Sequence, residues 1–552
     1  MYVKRKQKII IAVSLLVIAC LVAGSTYYYI EYYSIKKETP KQQQITTIVD
    51  NRISPLCTQG LILEVNRIRD RGIVEALMAK GNSWKIIPQF YYIAKIDNIE
   101  QISKDISATA GASNEQLFAT WDIMFMENKI IANIPNEQEK SDVTLTIMER
   151  LPLGILGRRY QDEEREKIKL TYDYKTGRWT GTDSWNDRDG YGHYLGDTFE
   201  VWFNLYQTDY NHDYIPYWTE VNVLHVSPYV DNSILDPNGD GIPISWDWKW
   251  GFNPFINDSH AQQDPDRDGL TNLQEYKMEK YFANPFHQDV YIEVDNMQQK
   301  NIFDIKHELY PQTAKFMMER FAQHNICLYI DNGWPDSPAN GGGQYVPYYQ
   351  VISQDSGMML QFYEHYFPDE RKGIFRYAII ANSAGFSHPA KFNMYDCMGI
   401  STHYNLAYSL GRKAFTQRTK ILAQASELMH ELGHTLSIRH ETFAGCDNFS
   451  YTEGKVQQQD FLNNWGNYKS CMNYYYFWDY SVIDYSDGSH GFGDNNDWTM
   501  MNFSYFKMES KEIEQPPPPA QTTVFTYLPR DAIYSDIPPR STFFSFFAPK
   551  HS

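Results

Sequence analysis

The stretch that most constrains this chain is Met429-His430-Glu431-Leu432-Gly433-His434, near the end of a helical pattern that runs from residue 419 to residue 436. Apolar side chains recur through this pattern every three or four residues, at Ile421, Leu422, Ala425, Leu428, Met429 and Leu432. Residues four apart share one face of a helix, so His430 and His434 can direct two imidazoles at one metal ion. Glu431 would then lie beside that metal and accept a proton from a bound water.

The residues that follow extend this motif. His440 comes six residues after His434, and Met472 and Tyr474 stand about thirty residues further on. This pattern resembles the metzincin zinc endopeptidases, in which HExxHxxGxxH is followed by a methionine turn beneath the metal. The resemblance implies the following site: His430, His434 and His440 as zinc ligands, Glu431 as the base, Met472 as the floor of the site and Tyr474 as a catalytic phenol.

One position departs from the metzincin pattern. Ser437 stands where the family has glycine, which ends the helix in a conformation that costs a residue with a Cβ some free energy. The departure leaves the third ligand open. Glu453 is the alternative to His440, because glutamate-type zincins take a downstream glutamate, although the methionine turn favours the histidine.

Length and composition limit the class of protein. The 552 residues suffice for three or four domains, and aromatic residues make up 15% of the chain, unlike a disordered protein. The formal net charge is −18, so nucleic acid is not expected as a partner. Six cysteines are too few for a disulfide scaffold, although Cys446 and Cys471 flank the active-site segment and could pair.

The first 35 residues predict export. Four basic residues between positions 4 and 8 precede an apolar run over residues 9–24, and three tyrosines follow it. This layout suits an uncleaved membrane anchor, which we favour, a cleaved signal peptide, or a lipoprotein signal ending at Cys20. All three place the remainder of the chain outside the cytoplasm.

The next two segments carry less chemistry. Residues 36–140 predict a small packed accessory domain, which we favour, or a pro-region. In a pro-region, Cys57 would ligate the metal and hold the protease inactive. Over residues 141–206, apolar and polar residues alternate, as from Val143 to Ile147, which predicts antiparallel strands with one buried face. An acidic loop over residues 183–190 is similar to the Ca²⁺ loops of C2-like domains, with an aspartate-rich turn as the alternative.

Three acidic loops repeat at steps of about 28 residues between residues 207 and 289. They begin at Asp209, Asp236 and Asp264, and oxygen-bearing side chains occupy positions 1, 3, 5 and 12 of each loop, as in an EF-hand. Gly241 and Gly269 stand at the sharp turn, where the first loop has Tyr214. The array resembles thrombospondin type 3 repeats, which implies bound Ca²⁺ that stiffens a spacer. The implied ligands are Asp209, Asn211, Asp213, Ile215 and Glu220; Asp236, Asn238, Asp240, Ile242 and Asp247; and Asp264, Asp266, Asp268, Leu270 and Glu275.

Residues 290–510 are expected to form the protease domain. Short buried-strand patterns and a helical run precede the 419–436 helix, in the order that the metzincin resemblance requires. The stretch from Cys397 to Thr402 is expected to supply the edge strand that pairs with an extended peptide. Residues 511–552 are rich in proline and predict an extended tail.

These patterns predict a multidomain α+β protein with an antiparallel C2-like β-sandwich, Ca²⁺-binding loop repeats and a metzincin-like α/β protease domain. The expected function is that of an exported, membrane-anchored or secreted zinc endopeptidase, stiffened by Ca²⁺ and acting on protein or peptide substrates. The alternative is a Ca²⁺-binding surface adhesion or scaffold protein that carries an inactive protease-like domain.

Overall fold

A computed structural model describes most of the chain from residue 49 onward. The described residues are 49–103, 117–125, 128–153, 159–182, 184–185, 190, 192–333, 341–354, 357–387, 394, 396–402, 416–450, 453–477 and 480–507. Backbone contacts divide the chain into Met1–Asn51 and Arg52–Ser552, and the fold below is that of the second unit.

The strands fall into an amino-terminal group and a carboxy-terminal group. The first group is β1 (Gly60–Asp70), β2 (Gln89–Ile96), β3 (Ile99–Ile102), β4 (Phe118–Ala119), β5 (Asp122–Met124), β6 (Lys129–Asn133), β7 (Lys140–Leu153), β8 (Arg159–Asp173), β9 (Arg178–Gly181), β10 (Gly192–Leu195) and β11 (Phe199–Gln207). The second group is β12 (Asp289–Met297), β13 (Cys327–Asp331), β14 (Tyr345–Val346), β15 (Phe375–Ala381), β16 (Phe386–Ser387) and β17 (Cys397–Ser401).

Most helices lie in the carboxy-terminal half of the described chain. They are α1 (Ile73–Met78), α2 (Tyr217–Thr219), α3 (Ile244–Trp250), α4 (Asn272–Lys277), α5 (Pro311–Ala322), α6 (Met358–Tyr366), α7 (Gln417–Thr435), α8 (Lys455–Trp465), α9 (Tyr474–Phe477) and α10 (Asp497–Met500). Helix α7 is the predicted 419–436 helix, and its first turn is capped by the Thr416 side chain, which accepts from the amide of Thr419. The expectation of an α+β protein with antiparallel sheets is confirmed.

Two antiparallel sheets share one hydrophobic core in the amino-terminal half. In one sheet β1 pairs with β5, β6 and β11, and in the other β7 pairs with β2 and β8. The predicted alternation is confirmed in β7, where Val143, Leu145 and Ile147 are buried. The core also takes Leu61 and Phe90 from the stretch that was expected to be separate. The expected boundary at residue 140 therefore falls within a single core.

The carboxy-terminal sheet runs in the order β13-β12-β15-β17-β16, with β14 also pairing with β12. Its strands are parallel except for β16, which is antiparallel to β17. Alternate residues of β12 enter two different cores: Ile292 packs with α5 and α7, whereas Tyr291 packs with α6. Both faces of the sheet are therefore covered, as parallel sheets require.

The expected edge strand lies inside this sheet. The Cys397 to Thr402 stretch was predicted to meet a substrate, but β17 is flanked by β15 on one side and β16 on the other. After β15 the chain reverses through Phe386 and Ser387, and this short antiparallel strand ends the sheet among the described residues. A two-residue strand gives too short an alternation to be recognised from sequence.

The amino-terminal stretch contributes to the core beneath α7. Ile73, Leu77 and Trp84 are buried in the same cluster as the side chains of α5 and α7. Arg418, in the first turn of α7, donates from its Nε to the carbonyl of Leu77 at 2.6 Å. This segment is therefore structurally part of the carboxy-terminal half.

A buried ion network joins the two halves as well. Arg69 on β1 donates from Nε to Glu200 at 2.9 Å, and from Nη1 to Glu319 on α5 at 2.8 Å. Burial raises the pKa of Glu200, but the charge of Arg69 outweighs it and lowers that pKa to about 2. Breaking a buried pair by removing one partner typically costs about 3–5 kcal/mol, so this network resists separation of the halves.

The predicted membrane anchor and proline-rich tail lie outside the described residues. Among the residues that the structure covers, no helix has both the length and the apolar character needed to cross a bilayer.

The sequence left open a disulfide between Cys446 and Cys471. Both residues are buried free thiols in the structure.

We expect Leu77→Ala to destabilise the protein by about 2–5 kcal/mol, because it opens a cavity in the core that supports α7. Leu153→Ala is the matched control, since Leu153 is 45% exposed and should change stability by no more than about 0.5 kcal/mol. Chemical denaturation measures both values. Equal costs for the two variants would show that the α1 segment does not stabilise this core.

Candidate metal centres

The rings of His430 and His434 face each other across one turn of α7. Their Nε2 atoms are 3.2 Å apart. Each Nδ1 is beside a backbone carbonyl, that of Cys471 for His430 at 2.9 Å and that of Ile438 for His434 at 2.8 Å. An Nδ1–H donor leaves a lone pair on each Nε2, and a tetrahedral zinc would hold two such nitrogens about 3.3 Å apart. The geometry therefore fits a zinc ion between the two rings.

Asp447 places one carboxylate oxygen beside each of these two histidines. Its Oδ1 lies 3.2 Å from Nε2 of His430, and its Oδ2 lies 3.3 Å from Nε2 of His434. Burial raises the pKa of Asp447, but the two histidines lower it to about 2. An ionised carboxylate beside two imidazoles makes a third metal ligand available.

The group of potential ligands formed by His430, His434 and Asp447 includes neither of the two residues considered from sequence for the third position. His440 is exposed, and its Nδ1 is 3.2 Å from the carbonyl oxygen of Cys446. Glu453 is also exposed. Asp447 was missed because no motif spacing marks it, and because its backbone takes a left-handed φ of +55° that local sequence does not reveal.

The segment around Met472 forms hydrogen bonds with both His430 and Asp447. The carbonyl of Cys471 accepts from His430, while the carbonyl of Met472 accepts from the amide of Asp447 at 3.1 Å. Met472 is fully buried, and a Cβ placed on Gly433 would come within 2.5 Å of its sulfur. Glycine between the two histidines is thus required for Met472 to pack under the helix.

The serine in the family's glycine position adopts the conformation that glycine favours. Ser437 has a φ of +72°, and the amide of Ile438 donates to the carbonyl of Gly433 at 2.9 Å, as in a Schellman cap. This reversal places the Ile438 carbonyl over His434. A non-glycine residue in this region costs about 1–2 kcal/mol, so the site tolerates strain at its edge.

Glu431 is buried beside the edge strand. Burial raises its pKa to about 7, although the charge of His430 and a hydrogen bond from Ser387 each lower it. Ser387 belongs to β16, so the edge of the sheet contacts the candidate base directly. A carboxylate with a pKa near neutrality suits general-base chemistry.

Tyr474 lies on the other side of His430. Its ring stacks on that of His430 with centroids 5.2 Å apart and planes 18° apart. Burial and the charge of Asp447 raise the pKa of Tyr474 well above its usual range, so the phenol keeps its proton. The residue is therefore placed to donate a hydrogen bond near the two histidines.

Cys57 was predicted to ligate the metal if the amino-terminal segment were a pro-region. Its thiol instead contacts the backbone carbonyl of Thr208 at 3.7 Å.

The three acidic loops share one backbone conformation. The sixth residue of each loop has a positive φ, at +65° for Tyr214, +94° for Gly241 and +92° for Gly269. Its amide donates to the first aspartate of the loop, at 3.2 Å in the Asp209 loop, 2.9 Å in the Asp236 loop and 3.0 Å in the Asp264 loop. The loop without glycine therefore folds like the other two.

The Asp264 loop gathers the most buried negative charge. Five carboxylate oxygens are buried without a hydrogen-bond partner, one each on Asp264, Asp266 and Asp289 and two on Glu275. Burial, followed by the charge of Asp268, raises the pKa of Asp266 to about 9. Buried oxygens in such number suit a bound cation, and hard oxygen ligands would favour Ca²⁺.

Each loop is closed by a later residue that the sequence analysis missed. Asn232 donates to Glu220 at 2.9 Å, Nε2 of His260 lies 2.9 Å from Asp247, and the amide of Asp289 donates to Asp268 at 3.0 Å. These three residues follow the last acidic position of their loops by 12, 13 and 14 residues. The regular spacing could have revealed them, but their side chains differ, so they form no motif.

The acidic stretch at residues 183–190 lies largely outside the described residues.

Neither a scan of protein-family models nor a search of curated proteins found a match to this chain. The chemistry of the sites therefore has to be argued from their own geometry.

We expect Asp447→Ala to weaken zinc binding by more than about 100-fold, because losing even a residue that only supports a ligand costs about 10–100-fold. His440→Ala should change the affinity by less than about 10-fold, because His440 is exposed. Competition with a chromogenic chelator measures both affinities. The reverse ranking would make His440 the third ligand.

We also expect Ca²⁺ to stabilise the fold, by about 2.7 kcal/mol per site at a concentration of 100 Kd. Glu275→Gln should lose part of this gain, yet it should be more stable than the parent in chelator because one crowded charge is gone. Asp231→Asn, which alters an exposed carboxylate between two loops, is the control. Thermal unfolding with and without Ca²⁺ measures the effect, and a parent insensitive to Ca²⁺ would contradict it.

Proposed function

We propose that this chain is a zinc-dependent endopeptidase of the metzincin type that hydrolyses peptide bonds in protein or peptide substrates. The observation that carries the proposal is the arrangement of His430 and His434, whose Nε2 atoms are 3.2 Å apart while both Nδ1 atoms face backbone carbonyls. Asp447 would be the third ligand, which would leave a fourth position for water.

Each residue around the proposed zinc ion has a separate role in the reaction. His430, His434 and Asp447 would hold the zinc ion, which would lower the pKa of a bound water to about 7 and polarise the scissile carbonyl. Glu431 accepts the proton of that water and returns it to the leaving amine. Ser387 orients the Glu431 carboxylate by hydrogen bonding. Tyr474 donates its phenolic proton as a hydrogen bond to the oxyanion of the tetrahedral intermediate.

Substrate recognition is assigned to the edge of the sheet. Strand β16 ends the hydrogen-bonded path of the described sheet, and its Ser387 contacts the candidate base. An extended peptide that adds to this edge would bring its main chain past Glu431. The antiparallel edge strand, the methionine beneath the helix and the cap at Ser437 support the metzincin comparison.

The other parts of the chain support this activity outside the cytoplasm. The amino-terminal sheets act as a C2-like β-sandwich joined permanently to the protease, and the three loops bind Ca²⁺ and stiffen the connection. Millimolar extracellular Ca²⁺ would neutralise the crowded carboxylates. Export by the predicted anchor or signal peptide is consistent with that supply of Ca²⁺.

We expect Glu431→Gln to lower kcat/KM by about 10²–10⁴-fold while zinc stays bound, because the variant removes the base and keeps the ligands. Cleavage of a denatured protein, with zinc content determined on the same samples, measures both effects. In the same assay, Tyr474→Phe should lower kcat about 10²-fold without loss of zinc.

The alternative function is that of a Ca²⁺-binding adhesin with an inactive protease-like domain, and it leads to a different prediction. It predicts zinc occupancy with no cleavage of a broad peptide library by the parent protein. Cleavage that a chelator stops, and that Glu431→Gln also abolishes, excludes it.

A further inference from the structure

Three buried side chains meet at the junction of the amino-terminal sheets, the loop array and the carboxy-terminal sheet. His193 lies on β10, His287 precedes β12, and Cys327 begins β13. One potential ligand atom from each lies within 4.8 Å of the others. The chain has no local motif here, because the three residues come from distant parts of the sequence.

The spacing of these atoms matches a metal site. The Sγ of Cys327 is 3.6 Å from the Nδ1 of His193. A tetrahedral ion with metal–sulfur bonds of about 2.3 Å and metal–nitrogen bonds of about 2.0–2.1 Å would hold these atoms about 3.5 Å apart. The distance lies within the range of a hydrogen bond to sulfur, and it also agrees with shared coordination of one ion.

The surroundings orient His193 as a ligand. Its Nε2 is 2.7 Å from Oε1 of Glu200, the carboxylate that also accepts from Arg69. Since a carboxylate only accepts, Nε2 carries the proton and Nδ1 presents a lone pair toward Cys327. Metal-binding histidines are commonly held in this way by a carboxylate on the other ring nitrogen.

His287 provides the independent sign of a ligand. The residue is only 5% exposed, and no hydrogen bond of normal geometry reaches either ring nitrogen among the described residues. The Oδ1 of Asp289 lies 3.8 Å from its Nδ1, which is too far for a hydrogen bond. A buried imidazole without a hydrogen-bond partner is costly, and binding a metal ion would satisfy one nitrogen.

We propose that Cys327, His193 and His287 form a second transition-metal site, distinct from that of His430 and His434. The thiol of Cys327 releases its proton to solvent as the metal–sulfur bond forms, and the two imidazoles bind through nitrogen lone pairs. A thiolate with two imidazoles selects zinc or copper over Ca²⁺. The ion would fasten the three parts of the chain at one point.

Trp185 competes for this site. Its indole N–H donates to Nδ1 of His193 at 2.7 Å, and its ring lies 3.8 Å from that of His287 by centroids. The metal must displace this hydrogen bond. Trp185→Phe should therefore tighten metal binding by up to about 10-fold, which is the free energy of one net hydrogen bond.

Cobalt substitution tests the proposal on the full chain. Thiolate bound to Co²⁺ gives a charge-transfer absorption in the near ultraviolet, and none of the proposed ligands of the His430 centre or of the acidic loops is a thiol. We expect the parent to show this band on Co²⁺ titration and Cys327→Ser to lack it. Cys397→Ser removes another buried thiol and should keep the band. Elemental analysis of the isolated protein then distinguishes zinc from copper.

This experiment tests the second metal site independently of the proposed catalytic zinc. Asp447→Ala should keep the cobalt–thiolate band while losing peptidase activity, so one proposal can fail without contradicting the other. A parent without the band at saturating Co²⁺, or a band that persists in Cys327→Ser, would overturn the proposal. Affinity that does not rise in Trp185→Phe would contradict the role of His193 Nδ1.

Discussion

Two backbone carbonyls outside α7 orient the two histidine rings of that helix. Those of Cys471 and Ile438 accept from the Nδ1 atoms of His430 and His434, which aligns both Nε2 lone pairs on one point. Neither carbonyl belongs to the helix, so the helix alone would present two freely rotating rings. One carbonyl is placed by the left-handed cap at Ser437, and the other by the turn that leads into Met472. The metal site is therefore a product of the segments after the helix, and the motif supplies only the side chains.

The same dependence extends to the amino-terminal half. Arg69 contacts both Glu200 and Glu319, and Leu77 fills the core that supports α7. A pro-region must leave an active protease behind when it is removed. Removing this one would break buried ion pairs and open the core, each at a cost of several kcal/mol. The amino-terminal half is better understood as a permanent part of the molecule, and the contact of Cys57 with Thr208 agrees with that view.

The sequence revealed the parts of the fold in which the pattern is local. The α7 helix, the alternation in β7 and the repeat of the three loops depend on residues close together in the chain, and each is found as expected. Asp447, the loop-closing residues and the β16 edge depend on contacts between distant residues. The third-ligand position shows why: His440 has the spacing of the family, yet Asp447 has the contacts, because its left-handed backbone and its hydrogen bond to Met472 turn it inward. No spacing rule encodes that turn.

The start of β12 links the Asp264 loop to the carboxy-terminal sheet. Asp289 opens the strand, closes the Asp264 loop and pairs with Cys327 across the sheet. The same strand continues to Asp295, which accepts from Tyr377 of β15 at 2.9 Å. A cation in the Asp264 loop would offset the repulsion between Asp289 and the loop carboxylates, and so would hold the first residue of the strand in register. Strand β12 pairs with β15, and β15 pairs with β17. The Asp264 loop is therefore joined through one continuous sheet to the strands that pack against α7.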